Sequence, residues 1–148
     1  MEYKNILLIE DNPDDIELTI RAFKKNNLKN EIIVIKDGEK AVDYINCTGE
    51  YIERDQNKQP AVILLDLKLP KVDGIEILRQ IKTNPKMKVI PVVILTSSLE
   101  EKDIENGYSY GANSYIRKPV DFNKFQEAVQ YLGIYWLLLN ELPRELRN

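Results

Sequence analysis

Histidine is missing from this sequence altogether, and cysteine occurs once, at Cys47. Without histidine there is no Ser-His-Asp or Cys-His catalysis, no imidazole-ligated metal and no phosphohistidine carried on this chain. A single thiol excludes an internal disulfide and any multi-thiolate zinc site, and Cys47 itself reads as a small buried hydrophobe. The longest apolar run, Ile134 to Leu139, falls far short of the roughly 20 residues that a membrane-spanning helix needs. The formal net charge is −3, so no basic field points to direct contact with nucleic acid. No signal pattern opens the sequence, and the expectation is a cytoplasmic protein with no membrane partner. Whatever chemistry it carries must use carboxylates, hydroxyls and lysine.

What is present has the balance of a folded domain: 148 residues, 43% hydrophobic and 30% charged. Apolar runs of strand length recur at 5–10 (NILLIE), 31–36 (EIIVIK), 61–66 (AVILLD), 91–96 (PVVILT) and 113–118 (NSYIRK). The first four are continuous and rich in Ile, Val and Leu, the pattern of parallel strands buried on both faces. Helical segments lie between them. Asn12 is placed to cap the first, Pro13 suits its first position, Asp14 and Asp15 favour the positive end of its dipole, and Ile16, Ile20 and Phe23 share a face. Asp37 opens a second helix carrying Ala41, Val42 and Ile45. A third runs from about Asp73 through Ile75, Leu78 and Ile81 to Asn84-Pro85. Ser98 and Glu101 form a capping box for a fourth, and a fifth begins near Asp121. Strands alternating with helices, joined by right-handed crossovers, predict one α/β domain over 1–148: a three-layer sandwich around a parallel sheet. Residues 46–60 form a polar, irregular insertion, and about 121–148 an extended last helix and tail.

In an open parallel sheet, ligands bind beyond the carboxyl ends of the strands. This sequence places Glu10-Asp11 there after strand one, Asp66 after strand three, Thr96-Ser97 after strand four and Lys118-Pro119 after strand five. Taken singly, each has a plainer reading: an acid pair or Asp66 caps a helix or turn, Thr96 is a turn residue, Lys118 a solvated surface lysine. Their joint occurrence on one edge is harder to explain so. Three converging carboxylates call for a cation, and hard oxygen ligands of this kind suit Mg²⁺. A carboxylate can attack a phosphoryl group, with metal and lysine neutralising charge on the transferring oxygens. The set reads as a phosphoryl acceptor with Asp66 as nucleophile. Pro70 and Gly74 fold the following loop back toward the site, Gly74 by accepting a φ that a bulkier residue would resist.

Glu10-Asp11, LLDLKLPKVDG, ILTSS and YIRKP together resemble the receiver domain of two-component response regulators, with the motifs in order across nearly the whole chain. The resemblance implies a flavodoxin-like, doubly wound sheet of strand order 2-1-3-4-5 with five helices. It implies a phosphorelay role: Asp66 takes a phosphoryl group from a sensor histidine kinase or a histidine phosphotransfer protein. Mg²⁺ would be held by Asp11 and Asp66, by Glu10 through water, and by the backbone carbonyl of Lys68. Lys118 would pair with the phosphoryl group, with Thr96 the switch hydroxyl and Tyr115 the coupled switch aromatic, repopulating the surface of helix four, strand five and helix five. Glu10 stands where many receivers carry Asp, and Ser97 where alanine is common. Enzyme activity is not expected beyond self-catalysed phosphotransfer and autodephosphorylation.

Phe122, Phe125, Val129, Leu132, Trp136 and Leu139 make a core-facing stripe on the last helix. Tyr131, Tyr135, Leu138 and Leu142 make a second, expected to form a homodimer interface unless the helix end folds back onto its own domain. The insertion and tail resemble those of single-domain regulators that partner phytochrome-type sensor kinases. Two other readings compete. A Mg²⁺-dependent phosphatase of the haloacid-dehalogenase type also uses an aspartyl nucleophile, but it places an acid two residues later, where this chain has Lys68. A receiver-shaped module that never takes phosphate would not need Asp66, Thr96 and Lys118 intact.

Overall fold

The computed structural model describes residues 4–97, 101–118 and 121–132. Five strands form one sheet: β1 (Ile6–Ile9), β2 (Ile32–Ile35), β3 (Val62–Leu65), β4 (Val92–Thr96) and β5 (Ser114–Arg117). All neighbours are parallel, and the order is β2-β1-β3-β4-β5, as expected of the flavodoxin-like fold. The helices are α1 (Pro13–Lys25), α2 (Gly38–Asn46), α3 (Gly74–Thr83), α4 (Glu101–Ser109) and α5 (Phe122–Leu132).

Alternation along the strands builds two cores. Leu7, Ile9, Ile63, Leu65, Val92 and Ile94 point to the side covered by α2 and α3, against Ala41, Tyr44, Ile45, Ile77, Leu78 and Ile81. Ile6, Leu8, Val62, Leu64, Val93 and Leu95 point to the opposite side, against Ala22 and Phe23 of α1 and Phe125 and Val129 of α5. Each fully buried aliphatic side chain is worth about 1.5–3 kcal/mol over an exposed one, so the three central strands dominate stability. β2 departs from the expected burial on both faces. It is an edge strand, and only Ile35 of its four residues is buried.

Local signals fix the helix ends. Asn12 Oδ1 accepts from the N–H of Asp14 at 2.9 Å and of Asp15 at 3.2 Å, and Asp37 Oδ1 accepts from Lys40 N–H at 2.8 Å. On α1 the buried line is Thr19, Ala22 and Phe23, with Ile16 and Ile20 half-buried beside it. Ser98 of the expected capping box, and Trp136 and Leu139 of the last-helix stripe, lie outside the described residues.

The 46–60 insertion is less irregular than its composition suggests. It carries a short 3₁₀ turn, Gly49–Tyr51. The Arg54 guanidinium lies 3.9 Å from the Tyr44 ring centroid, its Nε donates to the Tyr44 carbonyl at 2.9 Å, and its Nη1 donates to Gln59 Oε1 at 3.2 Å. Cys47 is not a core hydrophobe. It is half-buried at the C-cap of α2 with φ 54°, where it ends the helix in a left-handed turn.

Candidate functional site

The register of the sheet assembles the site. β1 and β3 pair Ile9 with Leu65, and the Asp66 N–H donates to the Ile9 carbonyl at 2.9 Å, so Glu10 and Asp66 leave the sheet side by side. β3 pairs Leu65 with Ile94, and β4 pairs Thr96 with Arg117. The Lys118 N–H then donates to the Thr96 carbonyl at 2.7 Å. Four strand ends deliver acids, a hydroxyl and an ammonium to one carboxyl edge, as the sequence predicts.

Glu10, Asp66 and Thr96 are buried, with 1%, 6% and 0% of their surface exposed, while Asp11 stands exposed on the rim. Glu10 is held on both oxygens. Its Oε2 accepts from the N–H groups of Asp11 and Asn12 at 3.1 and 3.3 Å, and its Oε1 accepts from Lys118 Nζ at 2.5 Å. Burial, reinforced by its hydrogen bond with Asp66, pushes the Glu10 carboxyl up to about 7, with Lys118 pulling the other way. Asp66 Oδ1 accepts from the Lys68 N–H at 3.1 Å, and Oδ2 lies 3.5 Å from Lys118 Nζ. Burial works against the Lys118 charge, but its hydrogen bonds to Asp15 and Glu10 and the field of Asp66 outweigh this and raise its pKa.

Asp15 is the residue the sequence reading missed. It figured there only as a helix-dipole charge, yet its Oδ2 accepts from Lys118 Nζ at 2.7 Å. The usable signal was its spacing, four positions after Asp11 and so one turn into the helix that starts at the site.

The loop after Asp66 is shaped by two glycines and one strained residue. The Val72 N–H donates to the Pro70 carbonyl at 2.9 Å across Lys71, whose φ is 72°. The left-handed residue is therefore Lys71, not Gly74. Gly74 is needed for space: a Cβ there would fall 2.4 Å from Leu67 Cα and 2.5 Å from the Asp66 carbonyl oxygen. From the other side, Gly38 donates its N–H to the Pro70 carbonyl at 3.0 Å, and a Cβ on Gly38 would sit 2.2 Å from the Val72 carbonyl oxygen. Lys68 presents its N–H to Asp66, while its exposed side chain extends to 4.0 Å from Asp103 of α4.

Tyr115 is half-buried on β5 and packs against the core shared with α2 and α3. Gly107 of α4 lies beside it: a Cβ there would crowd Ile94 Cδ1 at 2.7 Å, while Tyr115 Cδ2, at 3.5 Å, would be in ordinary contact. Tyr131 is 73% exposed on α5, and Tyr135, Leu138 and Leu142 lie outside the described residues.

The acids fit a metal. Glu10, Asp11 and Asp66 each offer a carboxylate oxygen, all within 4.8 Å of one another. Hard anionic oxygens at this spacing, two of them from buried side chains, suit a small divalent cation such as Mg²⁺. Among the described residues no helix is long and apolar enough to cross a membrane.

Comparison with known proteins agrees with this geometry. The response regulator receiver domain family matches residues 6–130. Response regulator Rcp1 of Synechocystis sp. is 39% identical over 140 residues, 95% of this chain and 93% of that protein. The crystal structure of its Mn²⁺-bound form superposes with a TM-score of 0.84 at 38% identity, covering 95% of this chain and 99% of that one. The phosphorylated cyanobacterial phytochrome response regulator RcpA superposes with a TM-score of 0.86 at 38% identity, covering 96% and 99%. The bacteriophytochrome response regulator AtBRR is 52% identical, with a TM-score of 0.75 and coverage of 95% and 100%. A haloacid-dehalogenase-type phosphatase is not favoured. Sheet order, the acid cluster on its carboxyl edge and the match over residues 6–130 converge: this chain belongs to the response regulator receiver domain family of two-component signalling.

Proposed function

We propose that Asp66 is the phosphoacceptor of a single-domain response regulator spanning 1–148, acting in the cytoplasm. The observation that carries this is the position of Lys118 Nζ, 3.5 Å from Asp66 Oδ2, beside carboxylates within 4.8 Å of one another. An Asp66 oxygen attacks the phosphorus of a phosphohistidine on a partner. The new P–O bond replaces the P–N bond, and the imidazole leaves and takes up a proton. Asp11, Asp66 and the Lys68 carbonyl would hold Mg²⁺, with Glu10 acting through water, and the ion would supply charge neutralisation on the phosphoryl oxygens. Lys118 adds an ammonium beside the same carboxylates, and Thr96 a hydroxyl for a phosphoryl oxygen once one is present. Attack of water on the same phosphorus returns Asp66, so autodephosphorylation resets the protein.

The added charge and acceptor oxygens draw Thr96 toward the site, and Tyr115 turns into the space vacated. The α4-β5-α5 surface is then read by another protein, with no direct nucleic acid contact. Tyr115 lying against Gly107 supports this coupling of β5 to α4. The partner upstream is a sensor histidine kinase of phytochrome type, or a histidine phosphotransfer protein, a reading supported by the likeness to RcpA and AtBRR. Tyr131, with Tyr135, Leu138 and Leu142, builds a homodimer contact, supported by the 73% exposure of Tyr131.

Incubation with Mg²⁺ and a small acyl phosphate, followed by intact mass, tests the reading. One phosphate adduct, lost in Asp66→Asn, is expected. No adduct would make the chain a receiver-shaped interaction module, and sustained turnover of a phosphomonoester would revive the phosphatase.

A further inference from the structure

Asp15 brings a charge to the site that none of the roles above uses. Its backbone is fixed from both sides: the N–H is capped by Asn12 Oδ1 at 3.2 Å, and the carbonyl accepts from the buried Thr19 hydroxyl at 2.8 Å. From that anchor Oδ2 reaches Lys118 Nζ at 2.7 Å, with 29% of the Asp15 side chain and 10% of the Lys118 side chain exposed. A pair this sheltered is screened less than a surface ion pair. An ammonium has three N–H donors. Two short contacts go to Glu10 and Asp15, and the longer one, 3.5 Å, runs to Asp66.

We infer that Asp15 is a positioning residue, which holds the Lys118 ammonium on the α1 flank of the site and so keeps it from closing on Asp66. The 3.5 Å separation leaves the third N–H available to a phosphoryl oxygen arriving on Asp66. With Asp15 neutral, the pull from α1 is gone and the ammonium settles against Asp66 Oδ2. It then draws electron density from the nucleophile and occupies the place of the incoming oxygen. Uptake of phosphate slows even though every group that touches the reacting atoms is intact.

This rests on Asp66 being the acceptor, so the wild-type adduct is measured first. Initial rates of adduct formation from a small acyl phosphate with Mg²⁺ are then compared for wild type, Asp15→Asn and Asp15→Glu, at a temperature where thermal melting shows all three folded. Asp15→Asn is expected to slow uptake by about three- to tenfold, and Asp15→Glu to restore most of the rate. In protein labelled with ¹⁵N-lysine, the Lys118 ammonium resonance, assigned through Lys118→Arg, is expected to shift or broaden in Asp15→Asn and to stay in place in Asp15→Glu. A wild-type rate in Asp15→Asn, equal slowing by Asn and Glu, or an unmoved Lys118 resonance in Asp15→Asn would each overturn the proposal. Absence of an adduct in wild type would instead remove the Asp66 reading, and the resonance would still decide whether Asp15 holds Lys118.

Discussion

Lys118 Nζ lies 2.5 Å from Glu10 Oε1 and 3.5 Å from Asp66 Oδ2, so the ammonium is bound more tightly to its buried neighbour than to the nucleophile. Glu10 is in turn the acid whose proton affinity the fold raises most clearly, because burial and Asp66 act together against its charge.

The first prediction concerns pH. An unfolded Glu10 releases its proton near 4.5, and the folded one near 7. Between those values the folded state holds more protons, so the contribution of Glu10 to stability is complete below 4.5 and is lost as pH rises to about 7. The steepest slope is about 1.4 kcal/mol per pH unit. Urea midpoints at several pH values in chelator should fall through this window for wild type, and the slope should flatten in Glu10→Gln. Identical slopes would remove the assignment.

Asp66→Asn should do more than abolish the phosphate adduct. The substitution keeps the side-chain shape and removes one of two neighbouring buried carboxylates, relieving like-charge repulsion. Chemical denaturation in chelator above about pH 7, where Glu10 is charged, should show a gain of about 1 kcal/mol, the equivalent of somewhat under one pKa unit for a neighbouring acid. A loss of stability would mean that the Lys118 pairing outweighs the repulsion.

Gly74→Ala and Gly38→Ala should each destabilise by about 2–4 kcal/mol, because the added methyl meets backbone rather than a yielding side chain. Both glycines press on the same loop, so the two costs should fail to add in the double variant. Urea melts of the single and double variants measure this.

Arg54→Ala removes the guanidinium stacked on Tyr44 together with its hydrogen bonds to the Tyr44 carbonyl and Gln59. The expected cost is about 1–2 kcal/mol in thermal melting. The rate of phosphate uptake should be unchanged, since these contacts lie at the amino ends of the strands.

Much of this was legible in the residues. Continuous runs such as AVILLD, ended by an acid, announced parallel strands and the edge where chemistry collects, and the strand-end set Glu10, Asp11, Asp66, Thr96 and Lys118 lies on that edge. What escaped was tertiary. EIIVIK is as apolar as its neighbours, and nothing within it says that β2 is an edge strand. Cys47 carries no turn signature, yet the chain reverses there. Gly74 suggested a φ requirement when the constraint was contact with Leu67, and the φ requirement fell on Lys71, which no propensity would choose. The spacing of Asp15 from Asp11 placed it near the site, but not that a lysine 103 residues away ends beside it.

The anchoring of Arg54 on Tyr44 has a practical consequence. Residues 46–60 join the C-terminus of α2 to the start of β3, where the Ala61 N–H meets the Asn5 carbonyl at 2.8 Å, on the rim opposite the acids. A dye or affinity handle grafted at exposed Ile52 would ride as a silent passenger, reporting on tumbling and assembly while leaving the chemistry at the other pole undisturbed.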